Sequence, residues 1–208
     1  MSSHSPESQR AAQKAETRRR ILEHARRLCA RRGFARTRTV DVAKAARVSH
    51  GSVFVHFPSR EALMAAVVGE MAREITDALH ALGSQDAPLR EVLAKHLDCL
   101  ADREDELRWL LLEAPLLPKG FDAEWVGVQS AVAHHIAEAA ARDMAAGRIR
   151  EIPLHLLFNT WIGLVHHYVI HRELFAPGRS ALKTHGRELL DHFMGLISTP
   201  TPKSRSKR

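Results

Sequence analysis

Between Thr37 and Phe57 the chain reads TRTVDVAKAARVSHGSVFVHF, and this stretch narrows the fold more than any other. It reads as two short helices joined by a tight turn. The first would carry Val42, Ala43 and Ala46 inward, with small side chains that let a second helix cross closely, and Val48 would fill the corner. Ser49 suits the N-cap of a second helix running from His50 to Phe57. At about 100° per residue, Val53 and Phe57 share one face, Gly51 and Val55 lie opposite, His50 and Phe54 form one flank, and Ser52 and His56 the other. Val53 and Phe57 then belong to the core, which leaves a Gly and a Val pointing outward. Gly inside a helix costs roughly 0.8–1 kcal/mol relative to Ala. A closely approaching partner accounts for both residues: without a Cβ the backbone can near a phosphate or base edge, and a Val methyl can meet a thymine methyl in a major groove. His50, Ser52 and His56 would donate to phosphate oxygens. Helix, brief turn, helix is the arrangement of a DNA-reading unit; the alternative is a plain surface helix that tolerates one Gly.

Charge is distributed in keeping with an anionic partner. Residues 1–60 hold 14 Lys and Arg against 4 Asp and Glu, a net of +10, whereas residues 61–200 hold 13 against 20, a net of −7. The basic character therefore belongs to the segment with the helix pair, where it steers toward polyanions and supplies salt-dependent affinity. A membrane surface is the competing partner, but the outward face offers no broad apolar band to insert.

The rest of the 208 residues reads as helices and breakers, an all-α chain with few aromatics and long Ala/Leu/Arg/Glu runs. Residues 1–15 are expected to be a disordered polar tail. A first helix from about Thr17 to Arg32 follows, with Ile21, Ala25, Leu28 and Cys29 on one stripe, Gly33 at its C-terminal cap and Phe34 packing back. Arg18, Arg19 and Arg20 oppose the dipole of its first turn, a cost that an anionic partner would offset. After Pro58, Ser59 caps a helix with the stripe Met64, Val68, Met71, Ile75, Leu79 and Leu82. Further helices are expected at about 88–101, 103–113, 122–146 and 153–175, and after Ser180 a last one carries Leu182, Leu189, Leu190, Phe193 and Ile197. The domains expected are a helix-turn-helix unit at 16–60, a helical domain at 61–198 and a flexible basic tail at 199–208.

Two distant cysteines, Cys29 and Cys99, fit a reduced interior, the N-terminus has no apolar signal core, and the run Ile152 to Ile170 is interrupted by His155, Asn159, His166 and His167. These features lead to the expectation of a cytoplasmic protein that does not enter a membrane. No HExxH, GxSxG, P-loop or di-iron ExxH pair is present, so no catalytic residues, cofactor or metal are assigned. His167 and His171 stand four apart and could share a metal, against the commoner reading of core or pocket histidines.

In combination, these residues resemble the TetR family of transcriptional regulators. The match runs from Thr17 to Val67: I-L-x-x-A-x-x-L, then R-G-F, V-A-x-A-A-x-V-S-x-G-S-V-F-x-H-F and P-S-R-E-A-L. The resemblance implies an N-terminal three-helix helix-turn-helix DNA-binding domain joined to a C-terminal helical ligand-binding and dimerisation domain. It implies a repressor that binds double-stranded DNA as a homodimer at a palindromic operator and is released by a small-molecule effector. Carried over by position, Thr37, Arg38 and Thr39 open the first motif helix near phosphates. Ser49, His50, Gly51, Ser52, Phe54, Val55 and His56 form the recognition surface, and Arg60 meets the DNA backbone. The chain departs from the pattern in several places: Phe54 stands where Tyr is usual, His50 where Lys is commoner, Arg47 where Gly is frequent, and Val40 where a polar residue is usual. An effector cavity of the family's kind would draw on Trp109, Phe121, Trp125, Phe158, Trp161 and Tyr168, with His135, Asn159 and His167 as polar contacts; the dimer seam would draw on His185, Leu189, His192, Phe193 and Leu196. The rival classes are an all-helical enzyme or small-molecule-binding module without sequence-specific DNA binding, and a structural DNA binder without an effector.

Overall fold

The computed structural model describes residues 6–83, 86–113 and 121–199 and, within them, all side chains except those of residues 6, 7, 82, 83, 121–125 and 128. Every described element is a helix: α1 (Pro6–Arg32), α2 (Thr39–Ala46), α3 (His50–His56), α4 (Arg60–Gly83), α5 (Leu89–Ala101), α6 (Glu104–Glu113), α7 (Phe121–Ala145), α8 (Leu154–Ile170), α9 (Arg172–Phe175) and α10 (Ala181–Ile197). A lone antiparallel bridge pairs Ile149 with Ser198. The chain is all-α, with a helix-turn-helix followed by a helical second part.

Two expectations about elements change. The segment expected to be disordered is helical from Pro6, eleven residues ahead of Thr17. Its Ala, Gln, Lys and Glu are strong helix formers, and a helix anchored at Ile21 extends upstream at one hydrogen bond per residue without a new nucleus. The helix expected over 153–175 is two helices, because His171 leaves helical geometry (φ −98°, ψ 26°). The bend brings the Phe175 ring onto Tyr168, stacked at 4.2 Å. Of the tail expected at 199–208, everything from residue 200 lies outside the described residues.

Packing divides the chain into two compact units that are discontinuous in sequence. One runs up to Arg73 and resumes over Arg103–Val128; the other comprises Glu74–Asp102 and the chain from Gln129 onward. This division differs from a boundary at residue 60, since α4, which begins there, stays with the first unit up to Arg73, and α6 joins the first unit.

In the first unit α1 packs against α2, α3 and α6. The core gathers Ile21, Leu22, Ala25, Phe34, Val42, Ala43, Ala46, Val53, Phe57, Leu63, Met64 and Val67, joined from α6 by Leu107 and Leu110. Cys29 is fully buried with Sγ 3.6 Å from Sδ of Met64, and burial pushes its thiol up to about 12, so it is an inert core residue. Two buried carboxylates fasten α6. Glu106 pairs with Arg26 of α1 at 3.1 Å and with Arg103 at 3.3 Å, and Glu113 accepts a hydrogen bond from the backbone N–H of Ala35 at 2.9 Å.

In the second unit α5 and α8 pack against α10, and α9 against α8. Asp143 of α7, almost fully buried, accepts from the Leu89 N–H at the start of α5 and from the Arg148 guanidinium at 2.7 Å. At the centre, the Trp161 indole packs on Phe193, ring centroids 5.1 Å apart, and its Nε1–H donates to Nδ1 of His96 at 3.2 Å. Burial pushes His96 down to about 3. Between that value and the ordinary 6.5 the unfolded chain binds a proton that the folded chain does not, so stability falls as pH falls through this window. Urea unfolding at about pH 5 should therefore show stability lower by about 2 kcal/mol from this residue than at about pH 7. His96→Gln should lose that share of the dependence, and an unchanged slope in the variant would refute the assignment.

Candidate nucleic-acid interface

The first unit builds one face from α2 and α3, and local chemistry explains its shape. Arg47 closes the turn between them in the left-handed region (φ 53°, ψ 47°), where its N–H reaches the Lys44 carbonyl at 3.2 Å and the Val48 N–H reaches Ala43 at 3.0 Å. A side chain there costs about 1–2 kcal/mol against Gly, and Arg47 bears that cost. Ser49 then caps α3, its Oγ accepting from the Ser52 N–H at 3.1 Å, worth about 1 kcal/mol. Asp41 anchors α2 by accepting from Arg32 of α1 at 2.8 Å and pairing with Arg38 at 3.3 Å.

Within this frame Val53 and Phe57 are buried and Gly51 and Val55 face outward, Val55 being 71% exposed. An added Cβ at Gly51 would meet nothing within 4 Å, so the fold itself does not require glycine there. His50 joins the starts of the two helices: its Nε2 shares a hydrogen bond with Thr39 Oγ1 at 2.9 Å, and its ring meets the Phe54 ring edge-on at 5.0 Å. Phe54 is thus held by His50 while remaining 42% exposed. Arg38 is exposed at the entry to α2, and Ser52 and His56 are half-buried on the second flank of α3. Burial, followed by the positive charges of Lys14 and Arg18, holds the His56 imidazole below its ordinary value.

Two residues expected at the phosphates serve the fold instead. Thr37 is 0% exposed, and its hydroxyl donates to the Gly33 carbonyl at 2.7 Å. The Arg60 guanidinium turns inward onto backbone carbonyls, donating to Thr37 at 3.1 Å, to Ala35 at 3.2 Å and to Phe34. Together they lock the loop that joins α1 to α2, which sets the angle at which α2 and α3 are presented. The supports that sequence reasoning missed, Glu106, Glu113 and Arg26, lie far apart in the chain, and no local pattern marks them.

Among the described side chains, the residues expected to line an effector cavity do not assemble in either unit. Trp109 belongs to the first unit and is half-buried under the Arg108 guanidinium, 5.5 Å from the ring centroid. The side chains of Phe121 and Trp125 lie outside the described residues. Trp161 is core, Phe158 is half-buried, and Asn159 and His167 sit on the exposed face of α8. His135 is buried, with Nδ1 lacking a hydrogen-bond partner and its ring 5.7 Å from that of His80. A groove of about 840 Å³ runs between α5 and α10 over Ala94, Leu97, Leu182, Gly186 and Leu190, and none of the expected residues lines it. His167 and His171 do come together, rings 4.7 Å apart, yet no cluster of three or more metal-binding side chains occurs among the described residues.

The expected dimer seam needs a similar correction. Leu189 and Phe193 are buried within the subunit, since the inner face of α10 packs on α5 and α8. His185 is tied to the Phe175 carbonyl at 3.1 Å. His192 and Leu196 remain on the exposed face, Leu196 at 48%.

Comparison with known proteins agrees with this architecture. Residues 21–67, from the first core position of α1 into α4, match the family model described as "Bacterial regulatory proteins, tetR family". The HTH-type transcriptional repressor Rv3405c of Mycobacterium tuberculosis is 36% identical over 81 residues, 39% of this chain and 43% of that protein, so the match spans less than half of the relative's length. A solved TetR-family transcriptional regulator from Agrobacterium tumefaciens has the same fold with a TM-score of 0.74 at 19% identity, covering 89% of this chain and 100% of that one. The transcriptional regulator FadR from Bacillus subtilis, solved in complex with stearoyl-CoA, does so with a TM-score of 0.69 at 15% identity, covering 84% and 96%. The chain thus carries the helix-turn-helix of the TetR family of bacterial regulatory proteins over residues 21–67 and has the fold of TetR-family regulators over most of its length.

Proposed function

We propose that this protein is a one-component transcriptional regulator, a repressor that inserts α3 into the major groove of double-stranded DNA as a homodimer and is released by a small-molecule effector. The observation that carries this reading is the outward face of α3. Gly51 and Val55 project from a short, capped helix on the basic part of the chain, and the fold has no use for either choice. Arg38, Thr39, Ser49, His50, Ser52, Phe54 and His56 surround that face as phosphate and groove-edge contacts. Dimerisation through the exposed faces of α8 and α10 is supported by Leu156, 51% exposed, with His192 and Leu196. An effector in the helical second part is supported by the ligand held in the FadR structure, a protein of the same fold. Among the described residues no helix is long and apolar enough to cross a membrane.

Selection of bound duplexes from a randomised library tests the reading. The enriched sequences should be two-fold symmetric, with half-sites whose centres lie about 34–36 Å apart, one turn of duplex. Enrichment of no sequence, or binding indifferent to sequence at every salt concentration, would overturn it.

A further inference from the structure

The buried face of α1, followed toward the N-terminus, runs off the apolar core and onto cations. At 100° per residue, the core residues Ile21, Ala25 and Cys29 and the cations Arg10, Lys14 and Arg18 all fall within one arc of about 100°. The three cations are exposed although they lie on the packed side of the helix. The reason is that the helix-turn-helix ends beneath them: the Arg18 guanidinium stands 4.8 Å from the centroid of the Phe57 ring, and Phe57 is the residue that closes α3. Each step of four residues advances about 6 Å, so the row from Arg18 to Arg10 continues about 12 Å beyond that point. Lys14 and Arg18 also add to the larger effect of burial in holding the His56 imidazole below its ordinary value, a second sign that this row faces α3.

Charges on the opposite side of α1 are arranged differently. Glu16 pairs with Arg19 at 2.7 Å, and Glu23 pairs with Arg19 at 3.5 Å and with Arg27. Arg10 and Lys14 form no ion pair among the described residues. Arg19 and Arg27, on the side of α1 away from α3, are thus neutralised, whereas Arg10 and Lys14 are left open. An external polyanion would offset the mutual repulsion of this row. Between Arg10 and Arg18 the row has only Ala11 as an apolar companion in its arc, which sets it apart from a membrane-inserting helix.

We propose that Arg10, Lys14 and Arg18 form a second DNA-contacting row that follows the phosphate backbone flanking the groove entered by α3. This rests on the reading that α3 reads a major groove, and it extends the contact surface outside the helix-turn-helix. Phosphate contacts of this kind set affinity and salt response without reading sequence.

Fluorescence anisotropy over a salt series tests it, with the intact protein, Arg10→Ala/Lys14→Ala and Arg19→Ala compared. The probes are a duplex enriched by the intact protein from a randomised library and a mixed-sequence duplex of equal length. The double variant should bind both duplexes at least about tenfold more weakly at physiological salt, and its log–log salt slope should shrink by about 0.9 for each phosphate that is no longer neutralised. The ratio of the two affinities should not change. Arg19→Ala, which removes a cation from the paired side, should leave the slope alone, and Gln at positions 10 and 14 should act as Ala does. A double variant with the wild-type slope, or an Arg19→Ala slope that drops as much per charge, would overturn the row while leaving the reading of α3 standing. A wild-type protein that binds neither duplex would overturn that reading and this inference with it.

Discussion

Val55→Asp should abolish sequence-specific DNA binding, a loss of more than about 100-fold, while the protein stays folded. Val55 is 71% exposed and gives nothing to the core, so an Asp there should change stability by no more than about 0.5 kcal/mol. In a major groove, however, the new carboxylate would be set against base edges and a wall of phosphates. Juxtaposing like charges at an interface costs several kcal/mol, and every 1.4 kcal/mol is tenfold in affinity. Gly51→Ala is the companion test, because its two effects have opposite sign. The added methyl meets nothing within 4 Å in the free protein and raises helix propensity, so thermal stability should rise by about 0.8–1 kcal/mol. The same methyl should weaken operator binding by holding the α3 backbone away from the duplex. A gel shift beside a thermal melt reads both quantities. Wild-type affinity in Val55→Asp would remove the case for α3 as the reading helix.

That face was legible in the sequence because it is local: the 100° period, the Ser49 cap and the Pro58 break are all visible within a dozen residues. What failed depended on tertiary partners. Thr37 and Arg60 look like phosphate ligands until the carbonyls of Gly33, Phe34, Ala35 and Thr37 are brought to them, and those bonds exist only once the loop after α1 has folded back. Leu189 and Phe193 carry the right chemistry for a subunit seam. An amphipathic pattern cannot say whether an apolar residue of α10 meets its own α5 and α8 or a second chain. The effector pocket fared worst, because Trp161 and Asn159, two residues apart on α8, point to opposite sides of it. The cationic row on α1 was obscured differently: Arg18, Arg19 and Arg20 look like one cluster along the chain, whereas the helix puts Arg18 with Lys14 and Arg10 and turns Arg19 toward Glu16.

Gly33→Ala should destabilise the protein by about 3–4 kcal/mol, the largest stability effect expected of a single methyl in this chain. Gly33 closes α1 with φ +88°, its N–H donating to Cys29 at 2.8 Å, and a side chain in that region costs about 1–2 kcal/mol whatever surrounds it. Here the surroundings add to that cost. A Cβ would stand 2.4 Å from Oε1 and 3.0 Å from Cδ of Glu113, so the carboxylate must move. Glu113 is buried, and its Oε2 is the acceptor for the Ala35 N–H. Displacing it leaves a backbone donor without its partner, worth about 1–3 kcal/mol. The two contributions separate in a double-mutant cycle. In a Glu113→Ala background neither the clash nor the hydrogen bond is present, so Gly33→Ala should cost only its backbone share, and the coupling between the sites should be about 1–2 kcal/mol. Additive effects in chemical denaturation would mean that Glu113 does not hold the end of α6 against the loop after α1. A measured coupling would identify this carboxylate as the contact through which α6 supports the loop that presents α2 and α3, a joint with no counterpart in any local sequence motif.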